Sequence, residues 1–178
     1  MDVREPFIIT GDNRLNRENL KGKHIAILGA ARSGLSLARL MIKNGANVLL
    51  SDAKEMDTSS GELRKLIAAG VRVEVGGHTD EILKSQLVCI SPGIPLTIPV
   101  LQKALQKGIP VVGELEVSSW FCDAPMIAIT GSSGKTTTTT LTGKILQQKF
   151  DAVIVAGNIG DPFAGKILQI PGAEICVL

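Results

Sequence analysis

Residues 24–34 read HIAILGAARSG, an apolar run that leads into a loop with two glycines. The run 24–28 predicts a strand buried in a parallel sheet, and a helix follows from about Ser33 to Lys43. Strand and helix signals then alternate, with apolar runs at 48–51, 71–75, 87–90 and 111–112 and helical segments between them. This alternation predicts an α/β fold with a parallel, doubly wound sheet.

The loop after the first strand predicts a phosphate-binding turn. Gly29 and Gly34 match the outer glycines of the G-x-G-x-x-G pattern, but Ala31 replaces the middle glycine and disfavours a tightly held NAD. The following helix begins near Ser33, and its N-terminus can bind a phosphate beside Arg32. A turn with no ligand is the alternative.

Polar residues follow three other predicted strands. Asp52 ends the second strand, where a dinucleotide enzyme grips a ribose hydroxyl, and Lys54 lies just beyond it. Ser91 and Gly93 belong to a Ser-Pro-Gly-Ile-Pro loop at the end of the fourth strand, which a plain rigid turn also explains. Asn158 follows the strand at 152–156 and is expected to face the second loop's cleft, with a helix-capping turn as the alternative.

Residues 127–137, IAITGSSGKTT, predict a second phosphate-binding loop. The short apolar strand suits a sheet interior, and the loop residues predicted to cradle a nucleotide are Gly131, Ser132, Ser133, Gly134, Lys135, Thr136 and Thr137. Lys135 can reach the outer phosphates, and Thr136 carries the hydroxyl that usually holds Mg²⁺. Ile129 occupies the place of the first Walker A glycine, so the motif is incomplete, and a Gly/Ser turn before an ordinary helix is the alternative.

The chain divides into three parts by pattern. We predict a polar leader at residues 1–20 and the first α/β domain at residues 21–122. Residues 125–178 are predicted to form the beginning of a second α/β domain with a phosphate loop. The chain ends within the apolar run 174–178, so the second unit looks unfinished. We expect an exposed sheet edge at that last strand and self-association through the second unit.

Bulk composition excludes several classes of protein. A formal net charge of +2, from 19 basic and 17 acidic residues, argues against binding nucleic acid through a basic face. No apolar stretch is long enough to span a membrane, and no secretory signal is present. Three widely spaced cysteines, with Cys89 and Cys176 in apolar strand-like runs, predict buried free thiols and a cytoplasmic location.

Five blocks taken together resemble the Mur ligase family of cell-wall synthesis: ILGAARSGLSLA, CISPGIPLTIP, VVGELEV, IAITGSSGKTTTTTL and VAGNIGDPF. Their order and spacing match over nearly the whole chain after residue 20, and the ARSGLS and SPGIP segments favour the D-glutamate-adding branch. The resemblance implies a Rossmann-like domain for the UDP of the substrate and a central domain for ATP. It also implies a third domain that brings the amino acid.

The resemblance implies an ATP-dependent ligase that joins D-glutamate to UDP-N-acetylmuramoyl-L-alanine through an acyl phosphate. It assigns Gly29, Arg32 and Ser33 to the diphosphate, Asp52 and Lys54 to the uridine end, and Ser91 and Gly93 to the nucleotide. It assigns Gly131 to Thr137 to the ATP phosphates, with Lys135 catalytic on the γ-phosphate, Thr136 on Mg²⁺, and Asn158 on the sugar-peptide part of the substrate.

Two departures from the family pattern stand out. Ser133 replaces the usual asparagine, and the family's acidic metal ligand, metal-site histidine, modified lysine and amino-acid domain belong to sequence beyond residue 178. The hypothesis for these 178 residues is therefore nucleotide binding without complete catalysis. The competing classes are an NAD-binding oxidoreductase or regulatory module, a P-loop kinase or GTPase, and a non-enzymatic nucleotide-sugar-binding protein.

Overall fold

The computed structural model describes residues 15–59, 61–157 and 161–178. Most of the predicted leader and Asn158 therefore lie outside the described residues. Within the described part of that leader, the Leu20 side chain is fully buried in the core, and Arg17 forms an ion pair of 2.7 Å with Asp123. Leu20, which the sequence pattern assigns to the leader, is therefore part of the packed first domain.

The first domain contains a five-stranded parallel sheet. Its strands are β1 (His24–Leu28), β2 (Asn47–Ser51), β3 (Arg72–Glu74), β4 (Leu87–Ile90) and β5 (Val111–Gly113), in the spatial order β3-β2-β1-β4-β5. The order reverses at β1, which is the mark of a doubly wound sheet. The fold class predicted from the sequence is confirmed.

Three helices and one 3₁₀ helix connect these strands, and a fourth helix follows β5. They are α1 (Arg32–Lys43), α2 (Gly61–Ala68), the 3₁₀ helix (Asp80–Lys84), α3 (Pro99–Gln106) and α4 (Glu114–Ser119). Helix α1 buries Leu37, Leu40 and Met41 against the sheet because these residues recur at helical spacing. Gly45 follows α1 with a φ of +81°, a conformation that a residue with a side chain rarely adopts.

The second unit is a three-stranded parallel sheet with two helices. Its elements are β6 (Met126–Ile127), α5 (Lys135–Leu146), β7 (Val153–Val155), α6 (Phe163–Gln169) and β8 (Ile175–Val177). The spatial order is β6-β8-β7, so the last strand lies in the centre. Cys176 faces Met126 on one side and Ile154 on the other.

The expectation of an exposed edge at residues 174–178 is therefore wrong. The chain returns through α6 and inserts β8 between the two earlier strands, where both of its backbone edges are paired. The edges of this small sheet are instead β6 and β7. Any self-association by strand pairing would use one of those two edges.

The strand before the second loop also differs from its prediction as an interior strand. Met126 and Ile127 form an edge strand and remain 42% and 38% exposed. On α5, the apolar residues Leu141 and Ile145 are 58% and 62% exposed. Helical spacing places them on one face, but among the described residues no element covers that face.

Helix α6 joins the second unit to the first domain. It packs against α1 and α4, and the apolar core runs through Phe163, Ala164 and Ile167 without a break. Gly165 allows the close approach, because a methyl group there would lie 3.2 Å from the Ser36 hydroxyl oxygen. Within the described ranges, no helix has the length and apolar character needed to cross a bilayer.

Candidate functional site

The predicted binding residues of the first domain converge where the strands end. Gly29 follows β1, Asp52 follows β2, and Ser91 follows β4, all at the carboxyl edge of the sheet. Ligands of doubly wound sheets bind in the crevice outside this edge, at the point where the strand order reverses. The topology therefore brings three separate sequence blocks into one crevice.

Gly29, Gly34 and Ser91 form the tightly packed floor of this crevice. The Ser91 hydroxyl donates to the Gly29 carbonyl oxygen at 3.2 Å, and the Ser91 N–H donates to the Leu28 carbonyl oxygen at 3.0 Å. A methyl group on Gly34 would lie only 1.8 Å from the Gly29 carbonyl oxygen. Gly29 has a φ of +93° and a methyl group there would press on Ser91, so both glycines are required by geometry.

Asp52 organises the loop through both of its carboxylate oxygens. Oδ2 accepts the Ala30 N–H at 2.7 Å, and Oδ1 accepts the Lys54 N–H at 2.9 Å. In the structure Asp52 holds the loops after β1 and β2 together, and its contact with a substrate stays a prediction. Its remaining lone pairs still leave room for a ligand hydroxyl.

The two basic residues of the crevice are exposed to solvent. Arg32 and Lys54 are exposed, Ser33 is half-buried at the start of α1, and Gly93 is exposed with a φ of +89°. The pKa of Asp161, in the second unit, is lowered mainly by its hydrogen bond with Lys166. The positive charge of Arg32 lowers it to a smaller extent. Positive charge therefore borders the loop on the solvent side.

Sequence reasoning missed a polar network behind the crevice. The buried Ser51 hydroxyl donates to Glu74 Oε1 at 2.6 Å and lies 2.7 Å from His78 Nδ1. The Thr79 hydroxyl donates to the other Glu74 oxygen at 2.7 Å. These contacts tie the end of β2, which carries Asp52, to the loop after β3. Their only sequence signal is that polar residues follow two neighbouring strands.

The second predicted loop forms a separate cluster at the N-terminus of α5. Gly134 precedes the helix with a φ of +76°, and no side chain among the described residues caps the first turn. Residues 131–138 are all exposed. The Lys135 ammonium group folds back and donates to the Gly131 carbonyl oxygen, so it lies across the loop. The predicted loops 29–34 and 131–137 thus follow strands of different sheets and do not form one cluster.

Glu114 is a further buried polar residue that the sequence did not single out. It is 5% exposed, at the start of α4, and its Oε1 accepts the Ala164 N–H of α6 at 3.3 Å and the Ser118 hydroxyl at 3.1 Å. Burial raises the pKa of Glu114 above its ordinary value of 4.5, and these two hydrogen bonds oppose the rise. Glu114 therefore links the first domain to the second unit.

Replacing Glu114 with glutamine is expected to change how stability depends on pH. A raised pKa in the folded state means that this group stabilises the fold at and below pH 4.5, and that the contribution is lost as pH rises through the folded pKa. Relative to Glu114→Gln, the native protein should gain stability on acidification from neutral pH toward 4.5. Urea unfolding at several pH values measures the difference. Glu116→Gln, at an exposed position of the same helix, is the control, and an equal pH trend in both variants would contradict the assignment.

The fold and the crevice define the class of protein. It is a doubly wound α/β protein with a glycine loop at the point where the strand order of its sheet reverses. Comparison with known families then identifies it. Residues 23–113 match the family model described as Mur ligase MurD-like, N-terminal domain. The chain belongs to the Mur ligase family, and the resemblance inferred from its motifs is confirmed.

Curated relatives narrow the position within this family. The chain is 44% identical over 156 residues to UDP-N-acetylmuramoylalanine–D-glutamate ligase of Pelotomaculum thermopropionicum, covering 87% of this chain and 34% of that protein. It is 42% identical over 167 residues to the ligase of the same name from Salinibacter ruber, covering 90% of this chain and 36% of that protein. The chain is a homologue of these ligases and spans about a third of their length.

Solved structures show the same fold. A murein peptide ligase from Psychrobacter arcticus aligns with a TM-score of 0.54 at 25% identity, covering 88% of this chain and 37% of that protein. A UDP-N-acetylmuramate:L-alanyl-gamma-D-glutamyl-meso-diaminopimelate ligase from Neisseria meningitides aligns with a TM-score of 0.54 at 23% identity, covering 88% of this chain and 52% of that protein. Both alignments cover more of this chain than the first domain alone.

Proposed function

We propose that this chain binds UDP-N-acetylmuramoyl-L-alanine in the crevice of the first sheet. In this proposal it forms part of an ATP-dependent ligase that adds D-glutamate to that substrate in peptidoglycan synthesis. The observation that carries the proposal is the convergence of Gly29, Asp52 and Ser91 at one crevice, where hydrogen bonds from Asp52 and Ser91 hold the glycine loop after β1. The names of the relatives supply the substrate class.

The crevice suits the diphosphate of a nucleotide sugar. Helix α1 offers its N-terminus beside Arg32 and Ser33, and both a partial positive charge and a guanidinium fork favour an anion. Ala31 occupies the middle position of the dinucleotide pattern, and its methyl group hinders the close backbone approach that NAD requires. In the proposed complex Asp52 and Lys54 lie toward the uridine, and Ser91 and Gly93 line the opposite wall.

The loop Gly131–Thr137 fits the phosphates of ATP. Helix α5 has twelve residues, an uncapped first turn and a left-handed glycine immediately before it, so its N–H groups can converge on an anion. Lys135 would hold the γ-phosphate and the Thr136 hydroxyl would hold Mg²⁺. Bound ATP and Mg²⁺ would supply the phosphoryl group that turns a substrate carboxylate into a better electrophile.

Lys135 must change partner when a nucleotide binds. In the structure its ammonium group is held by the Gly131 carbonyl oxygen, and this contact places the positive charge over the loop in advance. An arriving phosphate carries negative charge, so it adds a Coulomb attraction for the ammonium group that the neutral carbonyl lacks. The exchange therefore favours the bound state.

We propose that these 178 residues bind nucleotide without completing ligation, since they correspond to 34% and 36% of the relatives' length. Purified chain incubated with ATP, Mg²⁺, UDP-N-acetylmuramoyl-L-alanine and D-glutamate should release no ADP above the rate without D-glutamate. Release of ADP that depends on D-glutamate would overturn this part of the proposal.

A thermal-shift panel with UDP, UDP-N-acetylmuramoyl-L-alanine, NAD and Mg-ATP tests the binding proposal. A ligand at 100 times its dissociation constant stabilises a protein by about 2.7 kcal/mol, which raises the unfolding midpoint by roughly 5–10 °C at this chain length. We expect this shift with the two UDP compounds and none with NAD. A shift with NAD alone would favour the alternative, an NAD-binding oxidoreductase or regulatory module.

A matched pair of arginine variants localises the site. Arg32→Ala removes a charged donor beside the glycine loop, and we expect the dissociation constant for UDP-N-acetylmuramoyl-L-alanine to rise by about 10- to 100-fold. Arg64→Ala removes an equal charge from an exposed position on α2, and affinity should stay within about twofold. Equal losses in both variants would place the ligand elsewhere.

A further inference from the structure

Two thiols from different parts of the chain meet at the joint between the two units. Cys122 lies in the segment between α4 and β6, and Cys176 lies in the middle of β8. Their sulfur atoms are 3.2 Å apart, and both cysteines are free thiols. Cys176 is fully buried, whereas Cys122 is partly accessible.

The sheet holds these two thiols together. The Cys176 N–H donates to the Pro125 carbonyl oxygen at 2.9 Å, and Cys176 is paired with Met126 in the ladder between β6 and β8. The segment that carries Cys122 therefore runs beside the central strand before it enters the sheet. Strand register therefore fixes Cys176, and Cys122 lies three residues before the Pro125 carbonyl that accepts the Cys176 N–H.

Small molecules can reach this pair from one side. A cavity of about 390 Å³ reaches Cys122, and its lining also includes Asp123, Pro125 and residues 171–174. Burial, together with the neighbouring Cys122 thiol, raises the pKa of Cys176 to about 12. Cys122 is therefore the thiol that meets an oxidant first, and Cys176 is placed to react second.

We propose that Cys122 and Cys176 form a reversible disulfide when the protein meets a hydroperoxide. The peroxide transfers one oxygen to the Cys122 sulfur, which becomes a sulfenic acid, while the other oxygen leaves as water or alcohol. The Cys176 sulfur then attacks the Cys122 sulfur, and the hydroxyl group leaves with the Cys176 proton as water. The two thiols lose two electrons in total, and the peroxide gains them.

The disulfide requires only a small movement of the two sulfur atoms, and it would restrain the joint between the two units. A disulfide has an S–S length of about 2.05 Å, so the two sulfur atoms must approach by only about 1 Å. The bond would join the end of the first domain to the central strand of the second sheet. It closes a loop of about fifty residues, which restricts the unfolded chain and fixes the joint between the two units.

Peptide mapping after oxidation tests the proposal. The purified chain is treated with hydrogen peroxide, remaining thiols are blocked with N-ethylmaleimide, and the digest is analysed by mass spectrometry without reductant. We expect a cross-linked peptide containing Cys122 and Cys176, its loss with dithiothreitol, and a rise of roughly 5–10 °C in the unfolding midpoint of the oxidised protein. Recovery of both cysteines as blocked thiols, or pairing of Cys122 between two molecules, would overturn the proposal.

Serine variants separate the pair from general oxidation. Cys122→Ser alters a partly exposed position and should abolish both the cross-linked peptide and the thermal shift while the reduced protein stays folded. Cys89→Ser is the matched control, since Cys89 is buried in the first sheet and should leave both readouts unchanged. A peroxide-induced shift that persists in Cys122→Ser would refute the assignment.

Discussion

Replacing Gly34 with alanine is expected to destabilise the first domain and abolish binding of UDP compounds. The new methyl group would lie 1.8 Å from the Gly29 carbonyl oxygen, 3.0 Å from its carbonyl carbon and 3.1 Å from the Ser91 hydroxyl oxygen. Two of these atoms are backbone, so the clash moves the loop itself. Overpacking of this kind costs about 3 kcal/mol, which lowers the unfolding midpoint by roughly 6–12 °C in a chain of this length.

Gly113→Ala is the matched control for this experiment. Gly113 ends β5 at the same edge of the sheet with a φ of −71°, and a methyl group there meets nothing within 4 Å. Its unfolding midpoint and its response to UDP-N-acetylmuramoyl-L-alanine should match those of the native chain within experimental error. If Gly34→Ala behaves like Gly113→Ala in both measurements, the packed loop described here is wrong.

Replacing Lys135 with alanine is expected to weaken Mg-ATP binding strongly while leaving the fold intact. The Lys135 side chain is exposed, and the hydrogen bond that it makes goes to the Gly131 carbonyl oxygen. Its loss should therefore change the free energy of unfolding by less than about 1 kcal/mol. The affinity for Mg-ATP should fall by about 10- to 100-fold, because a charge-assisted hydrogen bond to phosphate is lost.

Calorimetric titration measures the affinity for Mg-ATP, and urea unfolding measures the free energy of unfolding. Lys144→Ala, on the last turn of the same helix, carries an equal change of charge at a distance from the loop and should keep the native affinity. An unchanged Mg-ATP affinity in Lys135→Ala would remove the loop 131–137 from the proposed nucleotide site. Binding of UDP compounds should be equal in all three proteins, because that crevice belongs to the other sheet.

The local sequence pattern was sufficient to predict the strands of the first sheet and the position of the glycine loop. The alternation of apolar runs and helical segments predicts all five strands of the first sheet, because a strand buried on both faces reads as a continuous apolar run. Gly29 and Gly34 stand out in the sequence for the reason that the structure shows, since neither position tolerates a Cβ atom. The family followed from five such blocks in order.

Local pattern failed where a property depends on which element lies next to which. Leu141 and Ile145 are apolar and share one face of α5, yet their exposure is set by the neighbours that α5 has in the tertiary structure. Asp52 is placed correctly at the end of β2, but its hydrogen bonds to Ala30 and Lys54 depend on how two loops meet. Periodicity reports which residues share a face, and it carries no information about what covers that face.

The sequence by itself determined the fold class, the two glycine loops and the family, because each depends on residues close together in the chain. The tertiary structure alone decided that β8 is the central strand, that Glu114 binds the backbone of α6, and that Cys122 meets Cys176. Glu114 and Ala164, like Cys122 and Cys176, are about fifty residues apart in the chain, and nothing local distinguishes one partner from another. Strand order and helix docking select them, since they bury apolar surface and pair every backbone edge of the last strand.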